Sequence, residues 1–220
     1  MDAAPPPVQK DPPAPRRARD WSLLPLDALA SVFVRLGAVD VLMGASLVCR
    51  SWLDAASVPD VWRVVDMENP EVVLNKDKAL LRTMAKAAVD RSDGQLRVFA
   101  GNEFVTDDLL KYIVESSPSL ATLRIVSNCE DYTKRLVSVI KEAPLLELRS
   151  LELGDINPTV GEMLDLLRSC PLLQVFRVRG YHFDIWVTDE RVPRTKFAGT
   201  EVMMSKWGDT QWRHVAMVEV

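Results

Sequence analysis

One recurring spacing governs what this chain can fold into. An apolar residue, two others and an apolar-x-apolar run appear as Leu120 with Leu123-x-Ile125, Leu148 with Leu151-x-Leu153, and Leu173 with Phe176-x-Val178. Leu96-x-Val98 reads as an earlier, degenerate copy, so the runs begin at Leu96, Leu123, Leu151 and Phe176, 27, 28 and 25 residues apart. Apolar residues at every second position predict half-buried strands. Helical patterns fill the intervals: Thr106-Asp107-Asp108-Leu109-Leu110-Lys111-Tyr112-Ile113 before Pro118, Leu136-x-x-Val139-Ile140 before Pro144, and Met163-Leu164-x-x-Leu167 before Pro171. Each proline stops its helix just ahead of the next strand, where a missing N–H is tolerable. A strand and a helix in so short a period cannot bury their apolar faces alone, so successive copies must stack, strands parallel and helices outside. Leu123, Ile125, Leu151, Leu153, Phe176 and Val178 are expected to point inward, under Met84, Ile113, Ile140 and Leu167 from the helices. A further helix, capped by Asn75 and running to about Asp90, precedes the first copy.

A different pattern occupies residues 21 to 67. Pro25 fits the first helical position and Asp27 places negative charge in the first turn. Leu26, Leu29, Val32, Phe33 and Leu36 recur at three- and four-residue steps up to a stop at Gly37. Asp40 is the expected cap of a second helix carrying Val41, Ala45, Val48 and Trp52 on one side, with Leu42 and Leu47 widening the apolar surface. So short a piece, with one cysteine and no histidine, lacks the burial to stand alone, and docking onto another protein is the expected remedy.

This segment resembles an F-box, the motif that binds a Skp-type adaptor and so joins a cullin-RING ubiquitin ligase. The resemblance rests on Leu24-Pro25, the Leu29/Val32/Leu36 ladder, Val48-Cys49-Arg50-x-Trp52 and Pro59-x-x-Trp62. It implies that Leu24, Pro25, Leu29, Val32, Phe33, Leu36, Leu47, Val48, Cys49, Trp52 and Trp62 contact the adaptor. The repeats resemble leucine-rich repeats, and the combination is similar to plant F-box/LRR substrate receptors. The expected fold is α+β leaning towards α/β: a three-helix F-box, then a short solenoid of parallel strands and outer helices. The expected organisation is a Pro-rich disordered leader over 1–20, the F-box over 21–67, repeats over 68–180 and a divergent tail over 181–220.

Composition narrows the function. The 220 residues, 48% of them hydrophobic, support a real core. A net charge of -4 with interspersed signs gives no general attraction to phosphate, so nucleic acid is not an expected partner. No run of about 18 apolar residues exists, so no membrane is expected. Prolines occupy the start where a signal peptide needs an apolar stretch, and a nuclear or cytoplasmic location is expected. Cys49, Cys129 and Cys170 are read as reduced thiols. With His182 and His214 they make five candidate zinc ligands, against the eight of a RING domain. Cys170 ahead of Pro171 reads as a core residue, and His182 between Tyr181 and Phe183 as a packed or surface one. Asp107-Asp108 is helix-capping charge, and Glu130-Asp131 solvated loop. No catalytic constellation, cofactor or metal site emerges.

The leading expectation is therefore a non-catalytic substrate-recognition subunit. It would bind the Skp-type adaptor, and through it cullin and RING subunits, and recruit a protein substrate on the repeat face; side chains between the fixed apolar positions, such as Arg124, Val126, Glu152, Arg177 and Arg179, lie on that face, and which residues bind the substrate is unknown. The alternative is a truncated adaptor-binding protein that acts as a decoy. After Gly180 the unit is no longer legible, and residues 181–220, with Trp186, Trp207 and Trp212, read equally as a divergent cap or an abnormal terminus.

Overall fold

The computed structural model describes residues 20–68, 77–127, 132–143, 145–155, 158–180, 200–206 and 213–214. The Pro-rich leader, most of the tail, Asn75, Cys129, His182 and the Glu130-Asp131 pair lie outside them.

The N-terminal helices are α1 (Leu26–Leu36), α2 (Ala38–Met43) and α3 (Arg50–Ala55). Pro25 is the N-cap of α1 rather than its first helical residue. Gly37, at φ +87°, ends the helix in a left-handed conformation that favours glycine, and its N–H donates to the Phe33 carbonyl at 3.1 Å. The single second helix expected from Asp40 to Trp52 is instead broken in two. Gly44 closes α2, a 3-10 turn spans Ala45–Leu47, and Cys49 in an extended conformation redirects the chain into α3. Asp40 lies in the first turn of α2 and does not cap it.

A 3-10 turn over Pro59–Trp62 leads straight into strand β1 (Val64–Asp66). Then follow α4 (Lys78–Arg91), β2 (Val98–Gly101), α5 (Asp107–Ser116), β3 (Thr122–Val126), α6 (Tyr132–Glu142), β4 (Ser150–Gly154), α7 (Val160–Ser169), β5 (Val175–Gly180), β6 (Glu201–Lys206) and β7 (Arg213–His214). The cap of α4 is Asp77, whose carboxylate accepts the Ala79 N–H at 3.0 Å. Thr106 caps α5, and Thr159 with Glu162 forms a reciprocal capping box on α7.

The described strands form one sheet in sequence order, with β1 to β6 parallel and β7 antiparallel to β6. Val65, Phe99, Leu123, Leu151, Phe176 and Val202 share one register line. Three expectations change. The degenerate copy is Leu96-x-x-Phe99, so the equivalent positions from Phe99 to Val202 step by 24, 28, 25 and 26 residues. The array does not end at Phe176-x-Val178, because β6 adds a parallel strand. It also begins earlier, because β1 lies inside the segment assigned to the F-box and pairs with β2.

The stacking buries what the alternation predicted. Leu123, Ile125, Leu151, Leu153, Phe176 and Val178 are buried, as are Met84, Ile113, Ile140 and Leu167 from the helices. Across the outer surface, Lys111 on α5 pairs with Glu142 on α6 at 3.2 Å, and Lys141 on α6 with Asp165 on α7 at 2.7 Å. These exposed pairs align neighbouring helices more than they stabilise the fold. One contiguous core runs from Leu29 in α1 to Val202 in β6.

Leu151 is fully buried in the central strand β4. Leu151→Ala should lower unfolding free energy by about 2–5 kcal/mol through lost transfer energy and a residual cavity. Equilibrium denaturant unfolding checks this; a change within about 0.5 kcal/mol, the range of ordinary surface substitutions, would place Leu151 outside the core.

Candidate functional site

Two outward faces carry chemistry, and the first is made by the N-terminal helices. Of the eleven residues singled out there, Leu29, Phe33 and Trp62 are buried within this chain, at 1%, 1% and 0% exposure. They are corrected from contact residues to the domain's own core. Leu24 and Trp52 are half-buried and packed against that core. The Trp52 ring meets Phe33 edge-on with centroids 5.5 Å apart, and its indole N–H donates to the Trp21 carbonyl at 3.3 Å. The helices therefore obtain their burial from each other, from β1 and from α4, and do not depend on a partner for it.

What remains outside is apolar. Pro25, Val32, Leu36, Leu47 and Val48 are exposed, Leu47 at 76%. They are joined by residues that the sequence reading missed: Trp21, Leu23 at 79%, Leu26, Val34, Met43 and Leu53. A signal for part of that set was present, since α1 carries Leu26, Val32, Val34 and Leu36 as well as the buried Leu29 and Phe33. Apolar residues around more than one stripe mark a helix with two covered sides. So much exposed apolar surface on one short segment marks an interaction site.

Cys49 is half-buried beside this surface. The Ser51 hydroxyl, 3.2 Å from its sulfur, and the backbone of Trp52 hold the thiol below its usual range by favouring the thiolate. Cys170 is the opposite case, since burial pushes its thiol up to about 12. Among the described residues no group of three or more His, Cys, Asp or Glu side chains is arranged to hold a metal ion.

The second face is the strand surface turned away from the helices. Register sets Arg124 on β3 beside Glu152 on β4 and Arg177 on β5. Glu152 accepts from both arginines, at 2.9 Å from Arg124 Nε, and Arg124 Nη1 reaches Glu68 at 3.2 Å. Partial burial draws the Arg124 guanidinium down, but Glu152 and Glu68 outweigh it and hold its pKa above the ordinary value. Arg179 Nε donates to the Ser205 hydroxyl at 3.2 Å. Glu68, Arg124, Val126, Glu152, Gly154 and Arg179 line one shallow cleft. All five side chains predicted for this face are thus on it. Their mutual ion pairing, with Glu68 as an added member, was not legible without the register.

Known proteins resemble both halves of the chain. Residues 21–68 match the F-box-like family model. The chain is 30% identical over 167 residues to Putative F-box/LRR-repeat protein 23 of Arabidopsis thaliana, covering 74% of this chain and 36% of that protein. It is 30% identical to Putative F-box/LRR-repeat protein 9 of the same plant, covering 73% and 65%, and 36% identical to F-box protein SKIP19, covering 59% and 42%. The matches therefore span about one third to two thirds of these relatives' lengths. Residues 21–68 are thus an F-box-like domain, and the chain as a whole is similar to plant F-box/LRR-repeat proteins.

The two described thiols should separate in reactivity. Thiol-alkylating reagent on the folded chain at neutral pH should modify Cys49 and leave Cys170 intact until denaturant is added, as peptide mass analysis would show. Equal labelling of both under native conditions would contradict the burial assigned to Cys170.

Proposed function

We propose that this protein is the substrate-recognition subunit of a Skp-cullin-F-box ubiquitin ligase. The exposed apolar face around Leu23, Leu26, Leu36, Leu47 and Val48 docks the Skp-type adaptor. The ion-paired strand face takes a protein substrate. The observation that carries the first half is the division of the F-box helices into a closed interior and a separate apolar exterior. An exterior of that kind is surplus to the fold and is covered only by a partner.

Its contribution to ubiquitin transfer is proximity. Holding adaptor and substrate on one body raises the effective concentration of substrate lysines near the charged carrier, which needs no acid, base or metal from this chain. Nuclear or cytoplasmic residence is part of the same proposal, since the adaptor and ligase subunits must meet it there.

Replacing Leu47 and Val48 together with alanine should weaken adaptor capture by about thirtyfold or more, the scale of losing two anchoring side chains. Both are exposed, so the unfolding midpoint should hardly move. Binding assays with purified Skp-type adaptor test this, and undiminished capture by a folded double variant would contradict the docking face. On the other side, Glu152→Arg places a third cation in the ladder between Arg124 and Arg177. Partners that co-purify through the repeats should be lost while adaptor capture stays; retention of every partner would remove the substrate role from this face.

A further inference from the structure

The arginines just before the F-box are not used by the proposed function. In Arg17-Ala18-Arg19-Asp20-Trp21-Ser22-Leu23 they stand three and five residues ahead of a serine that is followed by an apolar residue. Kinases discriminate substrates by such charge patterns, and acidic subsites beside the active site select this one. Ser31, Ser46, Ser51 and Ser57, the other serines of this domain, have no arginine at either offset. Ser22 is also accessible: it lies exposed in a 3-10 turn over Trp21–Leu23, none of whose residues is buried.

We propose that Ser22 is a phosphorylation site for an arginine-directed protein kinase, and that its phosphate releases the chain from the adaptor. The release half rests on the adaptor-docking reading above. The modification is ordinary phosphoryl transfer from ATP. Ser22 Oγ forms a bond to the γ-phosphorus as the bond from that phosphorus to the β,γ-bridging oxygen breaks, ADP leaves, and the hydroxyl proton passes to the kinase's base.

The local geometry converts that charge into a structural change. The Ser22 hydroxyl donates to Asp20 Oδ1 at 2.6 Å, and the Ser22 N–H donates to the same oxygen at 3.0 Å. Those two bonds hold the Asp20 carboxyl below its usual range and cap the turn. Phosphorylation removes the hydroxyl donor and sets up to about two negative charges against that carboxylate. Among the described residues two hydrogen bonds join the turn to α3, from Ser51 Oγ to the Ser22 carbonyl at 3.0 Å and from the Trp52 indole to the Trp21 carbonyl, and Leu24 at its end is half-buried against the core. Repulsion at Asp20 opens the turn and displaces Leu23, Leu24 and Pro25, one edge of the docking face. A phosphate left between the two proteins would in addition have to lose its hydration.

The test uses the full chain, a purified arginine-directed kinase with Mg-ATP, and purified Skp-type adaptor. Intact-mass and fragment analysis should find one phosphate on Ser22. Ser22→Ala should lack that phosphate, and an Arg17→Ala, Arg19→Ala chain should be modified about tenfold more slowly. Calorimetry should show adaptor affinity reduced about tenfold or more by the phosphate, and kinase-treated Ser22→Ala binding as before. No phosphate at Ser22 overturns the site. Phosphate at Ser22 with unchanged affinity overturns the release. If the unmodified chain fails to bind the adaptor at all, the docking reading falls and takes the release with it, while mass analysis still decides the site.

Discussion

The indole of Trp62 joins the two halves of this molecule, and most of its geometry follows from how that ring is held. It is fully buried, its N–H donates to the Ala56 carbonyl at 2.8 Å, and the Arg91 guanidinium from the end of α4 lies 5.3 Å from the ring centroid. Two residues later β1 begins and pairs in parallel with β2. The helical segment therefore has no linker to its solenoid; its last turn is the approach to the first strand. A helical piece of this size has too little interior to be stable alone, and the sheet supplies the remainder through Val65, Met67 and the buried face of α4.

That joint explains why so much apolar surface is left outward. Because Leu29, Phe33, Val41 and Trp62 already fill the interior, the fold itself leaves Leu23, Leu26, Leu47 and Val48 unused. The strand face is built by the opposite logic. Arg124 and Arg177 pair with Glu152 across three strands, and Arg124 also with Glu68, which holds a half-buried polar surface in place. An apolar face suits a constant partner, and a polar ladder discriminates among many, since mismatched charge is strongly disfavoured. With one core beneath both, the spacing between the two faces is set by the fold.

Much of this was legible in residue order, and the failures have physical reasons. Period-two alternation exposed β3, β4 and β5 because each has one buried and one half-exposed face, and the prolines marked where their preceding helices stop. The strand at Val65 was hidden because it is three residues long and lies within a helical motif. The strand at Val202 was hidden because its run Val202-Met203-Met204 does not alternate, and Met203 on its other face is buried as well. Helical spacing also cannot distinguish a side chain that closes an interior from one that closes an interface. Leu29 and Val32 are three residues apart on the same ladder, yet one is buried in the chain and the other exposed. The break at Gly44 was missed because the apolar spacing on either side of it continues in phase.

In the proposed function one fused core presents two separate outward faces, the F-box exterior for the adaptor and the strand face for a substrate. Hydrogen–deuterium exchange on the full chain, with and without purified Skp-type adaptor, reads both faces at once. Adaptor should slow exchange in peptides covering 21–36 and 45–53 and leave peptides covering β3, β4 and β5 unchanged. Protection that appeared on those strands and not on the helices would contradict the account.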